Sequence, residues 1–160
     1  MDADDELGRL TERAESGDSG AARSLGLRLW EHQPAAARRW SERSAQLGKS
    51  AAMHDLGFFL KSLDPDASLR WYKEAAAQGN GGSMHNLGLR LVASDPAAAE
   101  RWWRLAAERG YVASMCALAE FLEERDPTEA VRWYRMAIEH RDARSLDAFS
   151  RHLASIHGPS

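Results

Sequence analysis

The feature that most constrains this chain is a repeat with a period of 31 residues. Trp40, Trp71, Trp102 and Trp133 stand one period apart, and an arginine precedes each of them (Arg39, Arg70, Arg101, Arg132). An aromatic residue follows at Tyr72, Trp103 and Tyr134. The same step links Gly17, Gly48, Gly79 and Gly110, then Met53, Met84 and Met115, then Leu25, Leu56, Leu87 and Leu118. Gly26, Gly57, Gly88 and Ala119 form a further column, as do Pro34, Pro65, Pro96 and Pro127. So many columns at one period mark a repeat architecture, in which each unit is one supersecondary element that buries its apolar face only against its neighbours.

Each unit carries its own helix punctuation. Asp64, Asp95 and Asp126 precede a proline and are placed to accept orphan backbone N–H groups as N-caps. The proline then takes the first helical position, where a missing N–H costs nothing. Glu129, three residues after Asp126, has the spacing of a capping box. A helix of about 13 residues is predicted to run from each proline to the glycine at 48, 79 or 110, which supplies a left-handed C-terminal turn. Second helices are predicted over roughly 51–62, 82–93 and 113–124, with apolar residues at helical spacing, as in Met53, Leu56, Leu60. No segment alternates with period two, so no strand is expected.

The fold class that follows is all-α: a right-handed α-solenoid of antiparallel helix hairpins, with about ten helices stacked so that each apolar stripe is covered. The organisation expected is a single repeat domain over 1–160. A capping helix lies within 1–17 and helix pairs span 18–48, 49–79, 80–110 and 111–141, with a capping helix and tail over 142–160. The ends depart from the pattern as caps should. Arg9 stands where the tryptophan would be, so helix 4–16 reads as a half-repeat; Arg141 replaces the glycine and Phe149 the leucine. A more polar last helix is expected from Asp142 to about Ile156, with fraying over Ser155 to Ser160. The small residues at 26, 57, 88 and 119 fit close helix crossings. The tryptophans are expected to fill the core between hairpins, so that replacing Trp71 or Trp102 by Ala costs on the order of 3–5 kcal/mol.

Composition narrows the function. Twenty-one basic against 24 acidic residues leave a net charge of −3, which argues against a dedicated nucleic-acid binder. The four acids among the first six residues, Asp2, Asp4, Asp5 and Glu6, suit the positive end of a helix dipole. One cysteine, Cys116, permits no intrachain disulfide and fits a reducing compartment. There is no basic stretch followed by an apolar run at the N-terminus and no apolar run of membrane-spanning length, so a cytoplasmic protein is expected. The preference for arginine over lysine, with heavy alanine use, suggests a GC-rich bacterial genome.

At this point the residues resemble a known family. Ala-Ala-Met-His-Asp-Leu-Gly (51–57), Asp-Pro (64–65) and Arg-Trp-Tyr-Lys-Glu-Ala-Ala-Ala-Gln-Gly (70–79) look like the Sel1-like repeat, a relative of the tetratricopeptide repeat. The next unit repeats the pattern with Ser-Met-His-Asn-Leu-Gly (83–88) and Arg-Trp-Trp-Arg-Leu-Ala-Ala-Glu-Arg-Gly (101–110). These units are about five residues shorter than the family's usual one, because the loop between the two helices is cut to Ser-Leu-Asp-Pro or similar. The resemblance implies an α-solenoid that serves as an adaptor, scaffold or regulatory partner. A cysteine-rich, secreted branch has been linked to penicillin binding and β-lactam hydrolysis; a chain with one cysteine does not match it.

The resemblance also implies that the Leu-Gly helices line a concave groove and the tryptophan helices form the outer layer. Carried over by position, the partner-binding candidates are Arg23, Leu27, Trp30, His54, Asp55, Phe58, Lys61, His85, Asn86, Leu89, Glu120 and Glu123. The first half of this groove is aromatic and basic, and the second, with Glu120, Glu123 and Glu124, is acidic. The partner expected is another protein or a peptide, its apolar anchor and acidic end in the first half and its basic end toward the glutamates. Aromatic and arginine anchors dominate such interfaces, and charge sets orientation. The competing interpretation is that Phe58 and Leu89 only pad neighbouring helices. A weak homodimer through an exposed end is compatible with the pattern.

Other chemistry finds less support. His54, His85 and Cys116 share one column, yet stacked helices lie roughly 8–10 Å apart, too far for metal bonds of about 2 Å. No metal site and no cofactor is expected. Glutamates interrupt the column Arg39, Arg70, Arg101 and Arg132, with spacings such as Glu100 to Arg104 that form intrahelical pairs, so the stripe reads as a solvated face rather than a nucleic-acid surface. No nucleophile elbow, phosphate-binding loop or dinucleotide fingerprint is present. The chain is therefore expected not to be an enzyme, the alternative being a small-molecule-binding or enzymatic effector that uses the same groove.

Overall fold

A computed structural model describes residues 3–140. Nine α-helices occupy them: α1 (Ala3–Glu15), α2 (Ser19–Leu29), α3 (Pro34–Gln46), α4 (Ser50–Leu60), α5 (Pro65–Ala77), α6 (Gly81–Leu91), α7 (Pro96–Glu108), α8 (Val112–Leu122) and α9 (Pro127–Glu139). No strand occurs among the described residues. The tenth helix expected over 142–156 lies outside them.

The proline-led helices have the expected length and the expected ends. Asp64, Asp95 and Asp126 each accept the backbone N–H three residues on at 2.9 Å, from Ala67, Ala98 and Glu129. Gln33 takes nearly the same backbone angles before Pro34 but makes no side-chain cap. At the other end Gly48, Gly79 and Gly110 have φ between 83° and 85°, the left-handed conformation that closes the helix and turns the chain. The alternate helices stop about two residues sooner than the apolar spacing suggests. Lys61 and Glu123, at the ends of α4 and α8, hold the last helical geometry, and the following turn carries the chain to the next Asp-Pro.

The capping box at Asp126 is only half formed, which corrects the sequence reading. Glu129 donates its N–H to Asp126, but its carboxylate does not return to the Asp126 N–H. That N–H is already held by the Leu122 carbonyl at 2.8 Å. The Glu129 carboxylate instead accepts from both terminal nitrogens of Arg104 and from Trp133 Nε1 at 3.1 Å.

The chain packs as two compact units, Met1–Ser83 and Met84–Ser160, with the boundary inside α6. In the first unit consecutive helices from α1 to α5 pack in turn. One cluster joins Ala14, Ala21, Ala22 and Leu25, with Trp40 against it; another joins Ala45, Ala52, Met53, Leu56, Leu60, Ala67 and Ala75, with Trp71 against it. In the second unit α7, α8 and α9 enclose Trp103, Met115, Leu118, Leu122, Trp133 and Tyr134. Alanine lines most helix contacts, which lets the backbones approach closely.

The deepest aromatic column lies one residue beyond the tryptophan ladder. Ser41, Tyr72, Trp103 and Tyr134 are all buried, whereas Trp40, Trp71 and Trp102 are half-buried and only Trp133 of that column is buried. The reason is the small-residue column on the facing helix. A Cβ at Gly57 would lie 2.8 Å from the Tyr72 ring, and one at Gly88 would lie 2.3 Å from Trp103 Nε1. The glycine backbone is the floor on which the ring lies.

Candidate functional site

In the first unit, Leu56, Gly57 and Leu60 face the core. A helix advances about 100° per residue, so Phe58 and Lys61 are turned to solvent on the same helix. Leu27 on α2 and Phe58 on α4 occupy equivalent positions and are 43% and 48% exposed, a large apolar area left in water. Phe58 is not loose. Its ring meets Phe59 edge-on, with centroids 6.2 Å apart, and Lys61 Nζ sits 4.0 Å above its centroid. Phe59 in turn stacks on Trp30 from the end of α2, at 3.8 Å between centroids and 14° between planes. Trp30, Phe59 and Phe58 thus form a continuous aromatic run across two successive hairpins.

Beside it, Arg23 Nε donates to Asp55 Oδ2 at 2.6 Å, an ion pair that ties α2 to α4. These two candidates serve each other, the guanidinium partly open to solvent. Arg28 is likewise engaged by Glu6, through bonds of 2.8 and 3.1 Å. His54 lies deeper. Its Nδ1 is 3.0 Å from Ser83 Oγ, its ring is 5.7 Å from Tyr72, and burial holds its pKa below 6.5, with Asp55 opposing and Arg23 adding to that shift.

In the second unit His85 repeats the serine contact of His54, its Nδ1 lying 3.1 Å from Ser114 Oγ, while its ring sits 5.7 Å from Tyr111, which is not the repeat equivalent of Tyr72. Its carbonyl accepts from Trp103 Nε1 at 3.2 Å. Leu89 is 51% exposed, Glu120 is exposed, and Asn86 is half-buried. Glu123 is directed inward. It accepts at 2.5 Å from the hydroxyl of Tyr134, whose ionisation burial and this carboxylate push far upward.

The structure therefore sorts the twelve candidates. Trp30, Phe58 and Lys61 come together through Phe59 as one surface in the first unit, Leu27 is exposed at the position equivalent to Phe58, and Leu89 and Glu120 are open in the second. Arg23, Asp55, His54, His85 and Glu123 are tied into hydrogen bonds or ion pairs that join helices, and Asn86 is half-buried on α6. Phe59, Ser83, Ser114 and Tyr111 escaped the sequence reading. The signal for the serines was there: His54 to Ser83 and His85 to Ser114 share one spacing of 29 residues.

Two clefts lie beside tryptophan-bearing helices. Glu15, Arg39, Trp40, Glu42, Arg43 and Gln46 line one of about 470 Å³ in the first unit. Glu129, Arg132, Trp133 and Met136 line one of about 140 Å³ in the second. Neither lining holds a serine, cysteine or histidine nucleophile. The arginines alternate with glutamates as the spacing suggested: Arg38 pairs with Glu42 at 2.7 Å and Arg104 with Glu100 at 2.8 Å. Among the described residues no three His, Cys, Asp or Glu side chains are placed to hold a metal, and no helix is long and apolar enough to cross a membrane.

Three solved structures share this arrangement of hairpins. One is a protective antigen present in uropathogenic Escherichia coli strains that displays an SLR fold; it is 27% identical, with a TM-score of 0.80 over 93% of this chain and 36% of its own. A Sel1 repeat protein from Oxalobacter formigenes is 20% identical, with a TM-score of 0.81 over 88% of this chain and 66% of its own. An immunity protein from Pseudomonas aeruginosa is 15% identical, with a TM-score of 0.59 over 84% of this chain and 57% of its own. The chain thus spans under two thirds of each neighbour's length. No curated protein sequence matches it significantly. The Sel1 repeat model matches residues 31–49, 50–80, 81–111 and 112–142, in phase with the Leu-Gly and tryptophan helices described above. With its hairpins, its glycine turns and more than half of its length so matched, the chain belongs to the Sel1 repeat family.

Proposed function

We propose that this chain is a protein-interaction module, an adaptor or regulatory partner, that binds a peptide or protein segment on the solvent face of its Leu-Gly helices. Sel1-repeat solenoids generally mediate protein–protein interaction. The observation that carries the site is the aromatic run Trp30–Phe59–Phe58, with Phe58 half exposed and Leu27 half exposed at the equivalent position of α2. Rings already held by stacking lose little freedom when a partner covers them, which is how pre-organised anchors gain affinity. A bacterial setting is part of the proposal, supported by the bacterial sources of the three structural neighbours. A cytoplasmic one rests on the single thiol.

The test is affinity capture from the source cells with wild type beside Leu27→Ala/Phe58→Ala, circular dichroism confirming that both are folded. His85 is left intact because its ring bonds Ser114 and its loss would disturb packing. A partner held by wild type and lost by the variant is the expected result. A partner held equally by both moves the site away from this face.

A further inference from the structure

We infer that the Phe58 face selects a protein segment in which a large apolar side chain is followed within a few residues by a carboxylate. This rests on the interaction reading above and adds the chemistry of the partner. The determinant is Lys61. Its ammonium stands over one face of Phe58, on the same surface as the half-exposed rings, and no carboxylate among the described residues pairs with it. The arginines of α2 are committed, Arg23 to Asp55 and Arg28 to Glu6. A partner that covers Phe58 also strips water from Lys61, and desolvating a lone charge is unfavourable unless an opposite charge comes with the partner. An apolar side chain on Phe58 with an acid one helical turn away satisfies both groups together.

A cluster of three aromatic rings also raises the possibility of a cage for a cationic side chain. The geometry argues against it. Trp30 and Phe59 are stacked at 3.8 Å, which leaves no gap between them, and the protein's own lysine occupies the face of Phe58. A second cation would meet Lys61 in repulsion.

The experiment is selection of a phage-displayed random dodecapeptide library on the full chain, in parallel with Leu27→Ala/Phe58→Ala. Peptides from the wild-type pool are then measured by fluorescence polarisation against Lys61→Met, which keeps the apolar stem and removes the charge. The expected outcome is that Phe58-dependent peptides are enriched in Asp or Glu within three or four residues of an aromatic residue or leucine. Such peptides should bind Lys61→Met roughly two- to fivefold more weakly, the range of one partly exposed ion pair. Phe58-dependent peptides that lack acids, or that bind Lys61→Met as well as wild type, overturn the acidic preference and leave the interaction face standing. Peptides that bind Leu27→Ala/Phe58→Ala undiminished, or a selection that enriches nothing, overturn the face itself and the inference with it.

Discussion

The backbone of Gly88 and the indole of Trp103 are in direct contact: a Cβ built on Gly88 would fall 2.3 Å from Trp103 Nε1 and 2.5 Å from its Cδ1. The indole cannot withdraw, because Nε1 donates to the His85 carbonyl and the ring is buried by its own unit. Gly88→Ala is therefore expected to destabilise the protein by about 1–3 kcal/mol, overpacking outweighing the gain in helix propensity. Gly8, in α1, has nothing within 4 Å of the same added atom. Gly8→Ala should stabilise by about 0.5–1 kcal/mol. Urea midpoints that move in opposite directions for the two variants would check the pair.

A cap is missing where the repeat has no aspartate. Gln33 holds backbone angles of −139° and 67°, close to the −146° and 82° of Asp64, yet only Asp64 bonds its helix. Gln33→Asp should let α3 acquire the bond that α5, α7 and α9 already have, and raise stability by about 0.5–1 kcal/mol. Thermal unfolding should show a higher midpoint, while Asp95→Ala should lower it by a similar or larger amount.

Neighbouring tryptophans should differ in what their loss costs. Trp103 lies on Gly88 and meets Phe121 edge-on at 5.7 Å, so Trp103→Ala is expected to cost about 3–5 kcal/mol. Trp102 is half-buried, and Trp102→Ala should cost roughly half as much, since less apolar surface returns to water. Equal losses for the two variants would contradict the burial order.

Acid should weaken the fold in two steps. Burial lowers the His54 pKa from 6.5, so below that pH the unfolded chain takes up the proton more readily and stability falls until the folded imidazole is itself protonated. Glu129 behaves alike in a lower window. The Arg104 hydrogen bond holds its carboxyl below the ordinary 4.5, so its contribution is present above about that pH and is lost as the pH falls through the folded value. His54→Gln should flatten the stability profile just below pH 6.5, and Glu129→Gln should flatten it below pH 4.5. Denaturant titrations across pH 3–8 would separate them.

The period itself, with its Asp-Pro starts and glycine stops, determined the helices, their order and their pairing into Sel1-type hairpins. This was legible because a repeat writes the same local chemistry several times: a carboxylate that caps, a ring that fixes φ, a glycine that takes the left-handed turn. The family resemblance pointed to Leu27, Trp30, Phe58 and Lys61 as residues of one face, and the structure leaves Leu27, Phe58 and Lys61 exposed. The sequence did not reveal that Phe59 stacks on Trp30, that His54 and His85 are tied to Ser83 and Ser114, or that Glu129 leaves its capping box for Arg104. Nor did it show that Tyr72 and Trp103, rather than Trp71 and Trp102, are the deeper rings. Those contacts join residues 15 to 29 positions apart whose helical phase permits several partners. Which partner is met depends on how closely two backbones cross, and only the packed hairpins set that distance.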